Sequence, residues 1–258
     1  MSELHRAAKM GDEDTVGQLL ASGVDPNERD DGEGTAMMLS AESGSTGCIQ
    51  LLARFGADVS SVDSDGMTAL HRACLEPGRA RTIRLLVSLG APLDAKCARG
   101  NTALMESALR GHTKNARALL DLGASPNTAN DLNETPLTAA ATWGNVGVVE
   151  SLVANGADVD YRGPEGWTPL MSAAYSGVER AVMILLACGA VIDAVDLHGQ
   201  TALHLAVSSG HLNVVRQLLD RAKALSIHTF GDETAAAMAV RCNNPQIAAL
   251  LRSGTGSN

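Results

Sequence analysis

Histidine and cysteine are the residues of this sequence best suited to catalysis or metal binding, and their arrangement favours neither. The chain has seven histidines and five cysteines. It has no Walker loop, dinucleotide-binding glycine fingerprint, Gly-x-Ser-x-Gly elbow or His-Glu-x-x-His run. The cysteines are odd in number and lack the spacing of a disulfide framework or zinc site, which is typical of reduced thiols (Cys48, Cys74, Cys97, Cys188 and Cys242). We therefore expect no catalytic residue, no metal and no cofactor.

The composition points to a compact intracellular chain. Only six of 258 residues are aromatic, although 45% are apolar, so the core must consist largely of Ala, Leu, Val, Ile and Met. No apolar run reaches the length needed to span a bilayer, and the N-terminus lacks the apolar stretch of a secretory signal. The net charge of −9 argues against non-specific nucleic-acid binding. We expect a cytoplasmic or nuclear protein without membrane insertion.

The elements that must position any functional residue come from an internal repeat. The phrase Thr-Ala-Leu-His-Arg-Ala at Thr68 returns as Thr-Pro-Leu-Thr-Ala-Ala at Thr135 and Thr-Ala-Leu-His-Leu-Ala at Thr201. Copies open at residues 2, 35, 68, 102, 135, 168, 201 and 234, which gives a spacing of 33 with a single 34. The extra residue lies where Pro77-Gly78 replaces a lone glycine, so we expect a longer turn there.

Each copy predicts two short helices and a turn. The opening Thr or Ser can cap a first helix, which stops at a glycine such as Gly111. A second helix carries paired apolar residues such as Leu119-Leu120 and stops at another glycine. A further glycine two residues before the next Thr indicates a hairpin that needs positive φ.

This period and phrasing resemble the ankyrin repeat over nearly the whole chain. The resemblance implies an all-α solenoid of helix-turn-helix units with β-hairpin-like loops and a concave groove. We expect one domain over residues 1–253, with the first and last copies as caps, and a frayed tail over 254–258. Two features depart from the pattern: Glu33 and Asp232 stand where glycine is usual, and residues 221–228 lack the glycine that ends the second helix.

The resemblance also assigns roles to the histidines. His5, His71 and His204 recur three residues after the opening Ser or Thr, where the family uses the imidazole to bond the neighbouring turn. His112 and His211 follow helix-ending glycines and are interpreted as surface loop residues. His198 and His228 fall in hairpin segments.

In ankyrin arrays, partners usually bind the hairpin tips and the exposed side of the first helices. Counted from each Thr, these positions hold Trp143, Trp167 and Tyr175, and Tyr161 lies nearby at a hairpin base. Aromatic residues are common anchors of protein interfaces, so these four are candidate partner-binding residues. The alternative is that the rings pack over neighbouring helices and seal gaps in an alanine-rich stack.

Charge is unevenly distributed along the chain. Residues 1–71 carry a net charge of −9, residues 72–117 a net charge of +6, and residues 131–196 a net charge of −7. At the partner-facing positions this predicts a bipolar groove. Its basic residues are Arg99 and Arg110, with Lys96 close by, and its acidic residues are Asp131, Glu134 and Glu165.

The sequence therefore predicts a non-enzymatic adaptor that binds a protein or peptide in the groove and is a monomer on its own. The partner is expected to offer apolar residues flanked by basic ones. The alternative is a dedicated inhibitor that occludes one enzyme or transcription factor. The resemblance further implies that Asn27 and Asn127 occupy the hairpin position at which family members can be hydroxylated.

Overall fold

A computed structural model describes residues 1–221 and 234–254 of the chain, without the side chains of 253 and 254. It divides the chain into two compact units, Met1–Leu132 (unit 1) and Asn133–Asn258 (unit 2). Several expectations lie outside the described residues: those for Asp232 and His228, for most of the glycine-free segment 221–228, and for 255–258 of the tail.

The described residues form sixteen α-helices in eight pairs and no strand, which confirms the predicted all-α class of helix-turn-helix units. The helices of unit 1 are α1 (Glu3–Met10), α2 (Glu13–Ala21), α3 (Ala36–Ser43), α4 (Thr46–Arg54), α5 (Ala69–Leu75), α6 (Ala80–Ser88), α7 (Ala103–Arg110) and α8 (Thr113–Asp121). Those of unit 2 are α9 (Pro136–Thr142), α10 (Val146–Ala154), α11 (Pro169–Tyr175), α12 (Glu179–Ala187), α13 (Ala202–Ser208), α14 (Leu212–Arg221), α15 (Ala235–Arg241) and α16 (Pro245–Gly254).

Every first helix of a pair begins directly after the predicted capping residue. In α7, for example, the side chain of Thr102 accepts a hydrogen bond from the backbone N–H of Met105, which satisfies one of the free amides of the first turn. Pro136 and Pro169 occupy the first position of α9 and α11, where no helical hydrogen bond is lost. The repeat register read from the sequence is therefore the structural register.

Small side chains explain how a chain with so few aromatic residues builds its core. Five residues after each opening Thr or Ser stands Ala or Ser, and each of these side chains is buried where first helices pack on one another (Ala7, Ser40, Ala73, Ser107, Ala140, Ala173, Ala206 and Ala239). A residue without bulk at this position lets neighbouring helices approach closely, so that leucines such as Leu70 and Leu104 fill the remaining space.

The predicted longer turn lies between α5 and α6. α5 ends at Leu75, and Glu76 adopts extended backbone before Gly78 turns the chain with φ +76°. The fully buried Asn115 of α8 holds this turn: its side chain accepts from the Arg79 N–H (2.8 Å) and donates to the Glu76 carbonyl (2.7 Å). The extra residue is thus accommodated by a side chain of the following repeat.

The loops between pairs form tight hairpin-like turns rather than strands, with one isolated bridge, between Arg29 and Thr35, in the described residues. At Gly100 the backbone has φ +73°, and a Cβ atom there would lie 2.6 Å from the backbone nitrogen of Asp131 in the next loop. Successive loops therefore approach too closely for a side chain at this position. Glu33 takes the same left-handed conformation without being glycine (φ +58°), and Arg29 donates to its carbonyl (3.2 Å).

Candidate partner-binding surface

The aromatic residues singled out from the sequence all lie in unit 2, at the ends of first helices and the loop before them. Trp143 is the residue after α9, and 68% of its surface is exposed. Tyr175 is the last residue of α11 and is 49% exposed. Trp167 directly precedes the capping residue Thr168 of that helix, and its ring centroid lies 5.1 Å from that of Tyr175, with an interplanar angle of 58°. We call Trp143, Trp167 and Tyr175 the aromatic patch.

Trp167 is half-buried and tied to the next repeat. Its indole Nε1–H donates to Oδ2 of Asp196, at 3.2 Å. The other oxygen of Asp196 accepts from the backbone N–H groups of His198 and Gln200, both at 2.8 Å. Trp167 therefore contributes to packing between repeats, as the alternative interpretation expected, whereas Trp143 is largely exposed to solvent.

Tyr161 also contributes to packing between loops. Its hydroxyl donates to Oδ1 of Asn133, and the Asn133 amide donates to the carbonyl of Arg162 (3.3 Å). Asn133 itself has φ +61°, as expected for the position where other copies have glycine. The phenol of Tyr161 therefore joins two loops of unit 2.

Two of the three predicted acidic residues lie in unit 2. Glu165 is exposed, with a φ of +55°, and its carboxylate lies 3.6 Å from Nε2 of His198. Glu134 is half-buried and directly precedes the capping residue Thr135. The third, Asp131, is an exposed residue of unit 1, and its backbone N–H donates to the carbonyl of Arg99 (3.2 Å).

The three predicted basic residues lie in unit 1 and have different surroundings. Arg99 is exposed at a loop tip. Lys96 is exposed, and its ammonium group donates to the carbonyl of Ala129 (2.8 Å). Arg110 forms an ion pair with the carboxylate of Glu106, which is only 2% exposed.

Sequence reasoning missed the buried network to which Arg110 belongs. Oε1 of Glu106 accepts from the side-chain amide of Asn101 (2.9 Å), and the Asn101 carbonyl lies 3.0 Å from Nε2 of His71. An acidic residue on the alanine-rich first helix, four residues before an arginine, was the available signal. Leu197 was also missed. It is 76% exposed at a hairpin tip and stands four residues before Thr201, one of the positions expected to face a partner.

His5 and His71 have the structural role that the resemblance implies. Nε2 of His5 lies 3.1 Å from the carbonyl of Gly34, and His71 makes the equivalent contact with Asn101. Nδ1 of His204 lies 2.9 Å from the hydroxyl of its capping residue, Thr201. Burial lowers the pKa of His71 below its ordinary value of 6.5, which favours the neutral imidazole.

His112 and His211 do more than the surface-loop interpretation suggested. Nδ1 of His112 lies 3.0 Å from the carbonyl of Cys74, and Nε2 of His211 lies 2.9 Å from the carbonyl of Tyr175. Each ring therefore contacts the C-terminal end of the first helix of the preceding repeat, α5 for His112 and α11 for His211, where carbonyl groups lack helical partners.

The cysteines are unpaired, and three of them are core residues. Burial raises the pKa of the Cys48 thiol to about 11 and that of the Cys74 thiol to about 12, which opposes formation of the nucleophilic thiolate. Cys97 is buried, Cys242 is half-buried and Cys188 is exposed.

Within residues 1–221 and 234–254, no three His, Cys, Asp or Glu side chains form a group that could hold a metal ion. None of the helices in the described part of the chain combines the length and apolar character that a bilayer crossing requires.

The two asparagines predicted as modification sites lie in loops of unit 1. Asn27 is half-buried, and its side chain bridges two loops by donating to the carbonyl of Gly56 (3.2 Å) and accepting from the N–H of Asp58 (2.7 Å). Asn127 is exposed. Their hydroxylation stays a prediction.

Comparison with known proteins agrees with the fold. A family model described as ankyrin repeats (3 copies) matches residues 4–97, 89–163, 160–229 and 181–258. The human SH3 and multiple ankyrin repeat domains protein 1 is 39% identical over 106 residues, which cover 40% of this chain and 5% of that protein. The Arabidopsis thaliana E3 ubiquitin-protein ligase XBAT33 is 39% identical over 94 residues, which cover 36% of this chain and 18% of the relative. Ankyrin repeat and SOCS box protein 11 of Danio rerio is 38% identical over 104 residues, which cover 40% and 34% of the two chains. The match thus spans between 5% and 34% of these relatives.

Proposed function

The chain belongs to the ankyrin repeat family, whose repeats are protein–protein interaction modules, and on that premise we propose that it is a non-enzymatic adaptor with its main anchor site at the aromatic patch. The observation that carries this proposal is the exposure of Trp143 and Tyr175, at 68% and 49%, in a chain with only six aromatic residues. A large apolar ring gains free energy when a partner removes it from water, because apolar area is buried.

The charges near the aromatic residues in the sequence suggest the chemistry of the partner. Glu165 stands two residues before Trp167, and Glu134 stands two residues before α9, the helix that Trp143 follows. We propose a protein segment whose apolar side chains cover the aromatic patch and whose flanking Lys or Arg residues pair with these carboxylates. Such pairs at the edge of an interface steer association and contribute less to holding the complex.

The basic residues of unit 1 would receive acidic residues of the same partner. Arg99 is the strongest candidate, because it is exposed at a loop tip and no carboxylate of the described residues forms an ion pair with it. Lys96 has a carbonyl partner, and Arg110 has a carboxylate partner that folding keeps buried. We accordingly rank Arg99 above Lys96 and Arg110 as a partner-binding residue.

Affinity capture from a cell lysate tests the proposal. Full-length wild type is compared with Trp143→Ala, and with the double variant Trp143→Ala, Trp167→Ala. Phe55→Ala is the matched control, since Phe55 is also an exposed aromatic residue (42%) but lies at the end of α4 in unit 1. Removal of an interface anchor commonly costs about 2 kcal/mol or more, which is roughly a thirtyfold weaker Kd.

The expected result is a protein retained by wild type and by Phe55→Ala but lost by Trp143→Ala. Trp143→Ala should leave the melting temperature unchanged, because the ring is largely in water. The double variant should also be less stable, because Trp167 packs on Tyr175 and bonds Asp196. Capture that is indifferent to Trp143→Ala would contradict the proposal. An activity assay of the captured protein, with and without this chain, distinguishes an adaptor from a dedicated inhibitor.

A further inference from the structure

Two adjacent second helices of unit 1 carry basic residues at the same repeat positions. The second and fifth residues of α6 are Arg81 and Arg84, and those of α8 are Lys114 and Arg117. All four side chains are exposed. We call these four residues the outer basic face.

The packing of the two helices places these charges together. α6 and α8 pack against each other, and their buried sides include Ile83 and Leu86 in α6 and Leu119 in α8. Residues three apart on a helix have Cβ atoms roughly 5–6 Å apart, and packed helices have axes roughly 8–10 Å apart. Four cationic side chains are therefore attached within one small region of the surface.

These charges are only partly neutralised within the chain. Arg84 pairs with Asp121 at 3.2 Å, but both side chains are more than half exposed, so water screens the pair. Arg117 is also engaged within the chain, but no carboxylate of the described residues forms an ion pair with Arg81 or Lys114. The face therefore keeps a positive potential that a partner can use.

Helix stability does not explain the charges. Arg81 and Lys114 stand in the first turn of their helices, where the backbone N–H groups already carry partial positive charge. A cation there weakens the helix, and an acidic residue would strengthen it. At the equivalent position of α2 stands Asp14, and at that of α4 stands Gly47.

We propose that the outer basic face binds an acidic, Asp- or Glu-rich segment of a partner protein. Charge complementarity carries the proposal, and the extent of the face selects the kind of anion. On the side of α4 the face ends where the Glu13 carboxylate of α2 lies against Gly47. A short acidic segment fits beside this acidic edge, whereas an extended polyanion or a lipid surface would meet the edge and a chain with a net charge of −9.

A binding assay with a defined probe tests this. Fluorescence anisotropy of a labelled octaglutamate peptide is measured with the full chain at low and at physiological salt. The test variant is Arg81→Glu with Lys114→Glu. The matched control is Arg180→Glu with Arg216→Glu, which makes the same change of net charge on exposed residues at the second position of α12 and the fifth position of α14 in unit 2.

We expect wild type to bind the peptide with an affinity that falls as salt rises, because salt screens exposed charges. The test variant should bind at least about tenfold more weakly, and the control should stay within about twofold of wild type. Circular dichroism checks that both variants are folded.

Three results would overturn the proposal: no binding of the peptide by wild type, equal losses in the test and control variants, or no loss in the test variant. The same variants are measured with phosphatidylserine vesicles and with a single-stranded oligonucleotide. Binding of either probe through Arg81 and Lys114, without peptide binding, would assign the face to lipid or nucleic acid instead. The assay is independent of the aromatic patch, which lies in unit 2.

Discussion

Replacement of Arg110 by methionine decides whether this residue serves folding or partner binding. Methionine keeps an unbranched side chain with good helix propensity but removes the charge. In the wild type, the guanidinium pairs with Glu106, a carboxylate that is 2% exposed, and its own side chain is 38% exposed. After the substitution, the side-chain amide of Asn101 is the remaining partner that we find for the Glu106 carboxylate among the described residues.

The expected loss of stability depends on how deeply each partner of the ion pair is buried: Glu106 is buried, whereas Arg110 is partly exposed. Loss of one partner of a fully buried ion pair costs about 3–5 kcal/mol, because a charge stays buried without compensation. Water reaches Arg110, so the pair is screened in part, and we expect a loss of about 2–3 kcal/mol in the free energy of unfolding. Glu106→Gln should cost only about 1 kcal/mol, because it leaves no buried charge and releases Arg110 to solvent.

Urea denaturation followed by circular dichroism at pH 7 measures both variants and their combination. In the Glu106→Gln background, Arg110→Met should lose most of its effect, since the uncompensated carboxylate is gone. A cost below about 0.5 kcal/mol for Arg110→Met, or a larger cost for Glu106→Gln, would refute this reasoning. Arg110 would then be available to a partner, as the sequence predicted.

The remaining predictions concern a histidine, two thiols, a modification and the last repeat. Burial lowers the pKa of His71, so as the pH drops the imidazole is protonated in the unfolded chain before it is protonated in the folded one. The free energy of unfolding should therefore fall as the pH drops below 6.5. The difference between the urea midpoints at pH 7.5 and pH 5.5 should be smaller in His71→Gln than in wild type. Iodoacetamide should label Cys48 and Cys74 only after unfolding, whereas the exposed Cys188 should react in the folded protein, and mass spectrometry of the peptides measures both. Incubation with an asparaginyl hydroxylase should add the mass of one oxygen atom to Asn27, and an unchanged peptide mass would remove this site. Deletion of residues 234–258 should expose the apolar faces of α13 and α14 and cause aggregation in light scattering, whereas a monomer with an unchanged melting curve would show that this copy is not a cap.

The features predicted most reliably from the sequence are those set by local chemistry. A threonine before an alanine-rich stretch caps a helix wherever the stretch lies, and Gly100 or Asn133 adopts positive φ because its own residue type permits it. The helix pairs, their boundaries and the extra residue before α6 were therefore accessible from the repeat register. Glu33, which breaks the glycine pattern, also follows the register: its backbone N–H donates to the carbonyl of Asp30 (2.9 Å), and its own carbonyl accepts from Arg29 (3.2 Å).

The destination of long side chains could not be read in the same way, because it depends on which acceptors the fold brings within reach, on the same helix or in a neighbouring repeat. Arg110 meets a buried carboxylate on its own helix, and His112 and His211 reach carbonyl groups of the preceding repeat. Each polar group is drawn to an acceptor that burial would otherwise leave unpaired. The repeat register alone therefore does not identify partner-binding residues.

The two tryptophans illustrate the same rule at the proposed anchor site. The indole N–H of Trp167 donates to the carboxylate of Asp196 one repeat later, and its ring lies in tilted contact with that of Tyr175. Trp143 has most of its surface in water. A partner gains free energy by burying area that is still exposed, so the contribution per residue should be larger at Trp143, while Trp167 fixes the shape that the partner meets. The register places both residues on the proposed binding surface, and contacts with the neighbouring repeat determine how much of each ring is still exposed for a partner to bury.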